Sequence, residues 1–195
     1  MGPVPSGRLI LASASPRRLD LLRQIAIEPA LVEHPDVDEA PLRRELPAKT
    51  AVRLAHAKAQ AIAPRYPADF VLSADTVVAC GRRLLGKAEA EDDARGFLTL
   101  LSGRRHRVYT AVVLCAPGGT VRERLVQTAV VVRRLDQTDV AAYLASGEWR
   151  GKAGAYAIQG QFAAHVRQII GSYSNVVGLP LFETAALLRG SGFRR

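Results

Sequence analysis

Leu9-Ile10-Leu11-Ala12-Ser13-Ala14-Ser15-Pro16-Arg17-Arg18 packs a strand, a small-residue loop and a helix start into one short stretch. The apolar residues Leu9 to Ala12 read as a buried strand. Ser15 then stands where a helix cap belongs, Pro16 occupies the first helical position, and Leu19, Leu22 and Ile25 follow at helical spacing. A strand that passes through a loop straight into a helix is the repeating unit of an α/β fold.

Working outward, Pro35, Pro41 and Pro47 punctuate a loop that carries Asp36, Asp38 and Glu39. An Ala-rich helix is predicted over about residues 48 to 63, with Val52, Ala55, Ala59 and Ile62 on one face and Lys58 on the same helix. Phe70 to Ala74 reads as a short apolar strand that ends at Asp75-Thr76, and Val77 to Cys80 resumes strand character before a Gly81-Arg82 turn. Ala94, Phe97, Leu98 and Leu101 mark a helix stopped by Gly103. Val108 to Cys115 and Val121 to Val132 then form a hairpin around Pro117-Gly118-Gly119. Asp136 caps a short helix to about Ala145, Ala155 to Ile158 and Phe162 to Ile170 look strand-like, and Pro180 opens a last helix through Leu188. Strands interleaved with helices, plus one antiparallel hairpin, predict an α/β fold on a mixed sheet, in which ligands collect at strand ends near helix N-termini.

The chain has 195 residues, enough for one domain, with residues 1–7 expected as a tail. The prolines in Met1-Gly2-Pro3-Val4-Pro5-Ser6 suit that tail better than a lipidation signal. Hydrophobic content of 48% with a mean hydropathy of +0.04 suits a soluble protein. No apolar run approaches the roughly 18 residues of a membrane span, and the first apolar stretch is too short for an export signal. Cys80 and Cys115 have no metal or redox spacing and read as reduced, buried thiols. The net charge of +9 calls for an anionic partner. Only four of the 27 basic residues are lysines, Lys49, Lys58, Lys87 and Lys152. Where a lysine persists against that arginine bias, a compact ammonium has a reason to be there, which singles out Lys58 and Lys87.

Ser13-Ala14-Ser15-Pro16-Arg17-Arg18 brings hydroxyls, backbone N–H groups and two arginines to a helix N-terminus, which is phosphate-binding chemistry. Cations are unfavourable at the positive end of a helix dipole unless an anion lies between them. Asp75 offers a carboxylate that could position or deprotonate a water, or hold a cation. Asp38 and Glu39 are candidates to complete a magnesium site, because that ion takes few carboxylates and leaves the other positions to water and phosphate oxygens.

Five segments, taken together and in order, resemble the signatures of the Maf family: Leu11-Ala12-Ser13-Ala14-Ser15-Pro16-Arg17-Arg18, Ser73-Ala74-Asp75-Thr76-Val77-Val78, Leu100-Leu101-Ser102-Gly103, Lys152-Ala153-Gly154-Ala155-Tyr156-Ala157-Ile158-Gln159-Gly160 and Val177-Gly178-Leu179-Pro180. The resemblance spans nearly the whole chain. It implies an elongated, twisted mixed sheet in two lobes around a deep cleft, akin to inosine triphosphate pyrophosphatases. It implies cleavage of a nucleoside triphosphate to the monophosphate and pyrophosphate with Mg2+ or Mn2+, a cytoplasmic house-cleaning role and frequent homodimers. Residue by residue, it implies Asp75 as proton acceptor, Ser13, Arg17 and Arg18 on the phosphates, Lys58 and Lys87 reaching the triphosphate, Glu39 and Asp75 at the metal, and Thr76 and Gln159 shaping base recognition. The Tyr-x-Ile-Gln-Gly form resembles the branch acting on dTTP and UTP rather than the one acting on 7-methyl-GTP. A glutamine amide suits the edge of uracil or thymine, but turned over it suits guanine as well. Ala88 stands where the family usually has proline, and Gln161-Phe162 is bulkier than usual, so the cleft wall is expected to differ there.

A nucleic-acid-binding module is the competing class, motivated by Gly103-Arg104-Arg105-His106-Arg107 and Arg133-Arg134. Aromatic residues make up only 6% and are not interleaved with those clusters as stacking platforms would be, so no stable nucleic-acid partner is expected. There is no P-loop or dinucleotide fingerprint. His34, His56, His106 and His165 lack metal-ligand spacing and are assigned no role.

Overall fold

The computed structural model describes residues 7–194. Their elements are β1 (Leu9–Ala12), α1 (Pro16–Gln24), β2 (Leu31–Glu33), α2 (Pro47–Ile62), β3 (Phe70–Cys80), β4 (Arg83–Leu85), α3 (Glu91–Leu101), β5 (Arg105–Cys115), β6 (Val121–Val132), α4 (Gln137–Ala145), β7 (Val166–Ile170), α5 (Tyr173–Val177) and α6 (Leu181–Gly190). The readings made for residues 1–6 fall outside this range, while Gly7 packs beside the Ala68 carbonyl.

Six strands run in the order β2-β1-β3-β5-β6-β7, with β4 added to β3. The β1–β2 and β1–β3 pairs are parallel; β3–β5, β5–β6 and β6–β7 are antiparallel. This is the expected mixed sheet with helices on both faces. Alternation along β3 sorts its side chains. Phe70, Leu72, Ala74 and Val78 face the main core, shared with residues of α1, α3, α4 and α6, whereas Val71 and Val77 face α2.

Helix α2 starts on Pro47 and lies flat on the sheet because its inner stripe is mostly alanine: Ala51, Ala55 and Ala59, with Leu54 and Ile62, are all buried. The stripe is turned slightly from the predicted one, since Val52 sits at its margin rather than in it. Ser73 Oγ donates to the Ala55 carbonyl at 2.7 Å, tying strand to helix. Lys58 belongs to the same buried stripe, at 7% exposure. A buried ammonium is costly unless paired, so something beneath the helix must compensate it.

Several local expectations are revised. β3 is one continuous strand through Asp75 rather than two pieces. Backbone pairing to β5 continues without a break, Asp75 opposite Ala111 and Thr76 opposite Thr110, so the carboxylate costs the ladder nothing. Ala155 to Ile158 is not a strand but part of a turn-rich loop, held by contacts described below. Phe162 lies in a 3-10 turn (Gln161–His165) and only Val166–Ile170 is extended. The short elements β2, β4 and α5 carry too few residues to leave a periodic signal. Cys80 and Cys115 are free thiols as expected, but only partly buried.

Candidate active site

One stretch of β3 explains where the site forms. On one edge β3 pairs with β5 from Val71 to Ala79. On the other edge, β1 pairs with it as far as Ser73, and β4 begins at Val78. Ala74 to Val77 therefore have no strand neighbour on that second edge, and a cleft of about 770 Å³ opens there. The Ser13 to Arg18 segment, the Glu39 loop, α2, β4, the 150–159 loop and the end of α5 form its walls. Asp75 and Thr76, adjacent in the strand, project to opposite faces of the sheet and both reach the cleft.

On the α2 side, Lys58 Nζ lies 2.6 Å from Asp75 Oδ1 and 2.6 Å from Glu39 Oε1. Glu39 Oε2 receives Lys87 Nζ at 3.0 Å. The result is an alternating ladder, Asp75, Lys58, Glu39, Lys87, which supplies the partner that a buried Lys58 requires. Burial raises the Asp75 pKa above its usual range, against the opposing pull of the Lys58 and Arg18 charges. Burial acts on Glu39 in the same sense, but its two lysines outweigh that and hold its carboxyl at about 2. Asp38 does not join them: it is exposed and accepts from the Ala40 N–H.

On the other side of the sheet the two arginines divide. Arg18 is 8% exposed, and its guanidinium donates to the Gly178 carbonyl at 2.9 Å, Ser13 Oγ at 3.1 Å and Thr76 Oγ1 at 3.2 Å. Those bonds tie the ends of β1 and α5 to the middle of β3, which leaves Arg18 a structural load the sequence did not reveal. Thr76 Oγ1 also lies 3.0 Å from Thr110 Oγ1. Ser13 Oγ accepts the Ser15 N–H at 3.1 Å, so the loop is ordered by Ser13 rather than by a side-chain cap from Ser15. Arg17, by contrast, is half-buried and has no carboxylate partner among the described residues; burial alone lowers its pKa. Lys152, passed over in the sequence, also lines the cleft. Its pKa is lowered first by burial and next by the Arg17 charge. Two cations that disfavour each other in a concave site leave room for an anion.

Gln159 sits at the mouth, exposed, with no hydrogen-bond partner for its amide among the described residues. The segment beneath it is tightly held. Ala155 has φ +57°, and Gly154, at φ +71°, packs against Val78 where a Cβ would clash. The Ala157 N–H donates to the Tyr143 hydroxyl at 3.0 Å, and the Gln161 N–H to Glu148 Oε2 at 2.9 Å. Backbone strain of this kind persists where the surroundings over-determine it, often at ligand sites. Phe162 is fully buried behind the loop against Tyr156 and Tyr143, so its bulk is spent on support rather than on the cleft wall.

A family model described as "Maf-like protein" matches residues 8–191. The chain belongs to the Maf family. A relative named dTTP/UTP pyrophosphatase, from Paramagnetospirillum magneticum, is 64% identical over 95% of this chain and 97% of its own length. Another of that name, from Rhodospirillum rubrum, is 57% identical over 97% and 90% respectively. Among solved structures, a HAM1 protein from Coxiella burnetii covers 94% of this chain and 99% of its own at 16% identity with a TM-score of 0.44, too distant an overlap to carry an argument. Each residue that the Maf resemblance assigns to the site lines the cleft: Ser13, Arg17, Arg18, Glu39, Lys58, Asp75, Thr76, Lys87 and Gln159.

Proposed function

We propose that this Maf protein hydrolyses dTTP and UTP to the nucleoside monophosphate and pyrophosphate by attack of water on the α-phosphorus. The observation that carries the reading is the buried Asp75 carboxylate, with its raised pKa, set where β3 has no strand neighbour on one edge, in the same cleft as Lys152 and as Arg17, which has no carboxylate partner among the described residues. A carboxylate moved toward neutrality is a better proton acceptor for water than a solvated one. Lys58 keeps that carboxylate ionised while aiming its own ammonium into the cleft. Arg17, Lys87 and Lys152 bind and orient the phosphates. Ser13 and Arg18 fix the loop and strand ends against which the triphosphate lies, and Gln159 reads the base.

A divalent cation, Mg2+ or Mn2+, fits the donor set. Among the described residues no group of three or more His, Cys, Asp or Glu is built for a metal, but Asp75, through the oxygen that Lys58 leaves open, and Glu39, once its lysines turn to the phosphates, would supply the hard oxygen donors that magnesium takes when water and substrate phosphates complete its shell. The chemistry such an ion would supply, held by Asp75 and Glu39, is neutralisation of phosphate charge. A cytoplasmic location and a homodimer go with this reading. No helix among the described residues is long and apolar enough to cross a membrane.

The test is hydrolysis of dTTP, UTP and 7-methyl-GTP in ¹⁸O-water with Mg2+ or Mn2+. The label is expected in the monophosphate, with pyrophosphate as the other product and the pyrimidines preferred. Orthophosphate with a diphosphate sinks the reaction, label in pyrophosphate moves the attack off the α-phosphorus, and a strong preference for 7-methyl-GTP removes the Gln159 assignment alone. Salt-dependent nucleic-acid binding without turnover would restore the competing class.

A further inference from the structure

His106 is a polar side chain in an apolar place. It lies in β5 on the main-core face, two residues before the buried Val108, and is 1% exposed. It cannot touch a ligand in the cleft. Its Nδ1 has no partner among the described residues, and its Nε2 lies 2.8 Å from the Tyr156 hydroxyl, with the two rings edge-on at 5.4 Å. A phenylalanine or leucine would fill such a site without burying an unpaired ring nitrogen, so packing alone does not account for an imidazole. The bond to Tyr156 does.

Tyr156 is the first residue of the Tyr-x-Ile-Gln segment, lines the cleft and has His106 as its one hydrogen-bond partner among the described residues. Three anchors then bracket Gln159: the Tyr156 hydroxyl on β5, the Ala157 N–H on Tyr143 of α4, and the Gln161 N–H on Glu148. The Gln159 amide itself has no hydrogen-bond partner among the described residues. That combination, a clamped backbone and a free amide, matters for reading a pyrimidine. Uracil and cytosine present opposite donor and acceptor patterns at positions 3 and 4, and a glutamine that can turn over satisfies either one. Discrimination then depends on where the clamped backbone places Gln159 against the base edge, because the amide has no protein partner among the described residues to choose its direction.

We propose that His106 is a positioning residue for base selection: through the Tyr156 hydroxyl it fixes the 155–161 loop and so the distance and angle at which Gln159 approaches the base. The proposal rests on the reading of Gln159 as the base-recognising side chain.

The experiment compares kcat/KM for UTP and CTP in the wild type and in His106→Phe, Tyr156→Phe, the double variant, His106→Gln and Gln159→Ala, with folding checked by thermal melts. The wild type is expected to prefer UTP to CTP, and equal use of the two would overturn the proposal; that preference is expected to fall about tenfold in His106→Phe and equally in Tyr156→Phe, with no further fall when the two are combined, because both remove one interaction. His106→Gln, which keeps an amide donor near the place of Nε2, should retain most of the preference. Loss of UTP and CTP turnover by the same factor, or additive losses in the double variant, would overturn the proposal. If His106→Phe does not fold, Tyr156→Phe carries the test, and an unchanged preference there overturns it. Gln159→Ala separates the two levels. If it leaves the preference intact, base reading by Gln159 falls and the proposal with it; if it lowers the preference while the His106 and Tyr156 variants do not, only the role of His106 falls.

Discussion

Lys58 Nζ stands 2.6 Å from Asp75 Oδ1, a contact between the buried face of α2 and the middle of β3, with both side chains almost out of solvent. The pair is what allows a charged carboxylate to remain in the cleft, since either ion alone would face a desolvation cost of several kcal/mol. Each partner can be removed separately, and the two removals should read differently.

Asp75→Asn keeps the shape and removes the charge. Turnover of dTTP should fall by about 10²- to 10⁴-fold while the fold persists. Binding separates two roles. If Asp75 serves as the base, the variant should bind dTTP as tightly as wild type or more so, having lost a repulsive charge; if it chiefly holds the metal, metal-dependent binding should weaken and excess Mn2+ should partly restore it. A folded variant that keeps more than about a tenth of wild-type turnover would take Asp75 out of the mechanism.

Lys58, Lys87 and Lys49 form a graded series. Lys58→Arg must force a broader guanidinium between two carboxylates at an 8%-exposed site and should lower kcat and Tm together. Lys87, whose side chain is 61% exposed, should lose activity without losing stability. Lys49 is exposed and outside the cleft, so Lys49→Arg should be silent. Steady-state kinetics and melts on the three variants check the order, and equal tolerance at all three would show that the lysine bias carries no functional information.

Arg17 and Arg18 should part company in the same way. Arg18→Met removes three hydrogen bonds, two of them to buried partners, and is expected to destabilise the protein by about 2 kcal/mol or more, visible in chemical denaturation. Arg17→Met removes a cation with no carboxylate partner among the described residues. It should raise KM for dTTP about tenfold, the equivalent of roughly 1.4 kcal/mol, and leave the denaturation midpoint in place. A reversed pattern would exchange their roles.

The acid limb of kcat/KM should report Asp75. A base must be ionised, and burial has raised this carboxyl above its ordinary 3.8, so activity should be lost as pH falls through a value above that, not at it. Glu39, held at about 2, stays ionised across the limb and cannot produce it. A limb at or below 3.8 would contradict the burial argument.

Stability should carry a separate signature from His106, whose pKa burial pushes down to about 4 from 6.5. The unfolded chain takes up its proton near 6.5 and the folded chain only near 4, so stability is lost as pH falls across that window, by about 3 kcal/mol at most. His165 shifts in the same direction, so the comparison is between His106→Phe and wild type. Denaturation at pH 7 and pH 4.5 should show a flatter pH dependence in the variant, and an identical slope would place His106 in contact with solvent.

Helices α1 to α4 and α6, the β5–β6 hairpin, the mixed sheet and the loop from Ser13 to the start of α1 were legible in the amino-acid sequence because their signals are local. Pro16 at a helix start, alanines at helical spacing in α2, Pro-Gly-Gly between two strands and Asp136 at a cap each act within a few residues. The side chains proposed for the triphosphate were legible for the same reason, and all of them line the cleft. Tertiary structure alone decided how those groups are spent. It put Asp75 inside a strand rather than at its end, because pairing to β5 continues while β1 stops and β4 has not begun. It committed Arg18 to a carbonyl 160 residues away, and joined His106 to a tyrosine 50 residues on. Contacts at such separations depend on the register in which strands align and the face each residue is given, and register is settled by packing of the whole sheet rather than by the neighbours of any one residue.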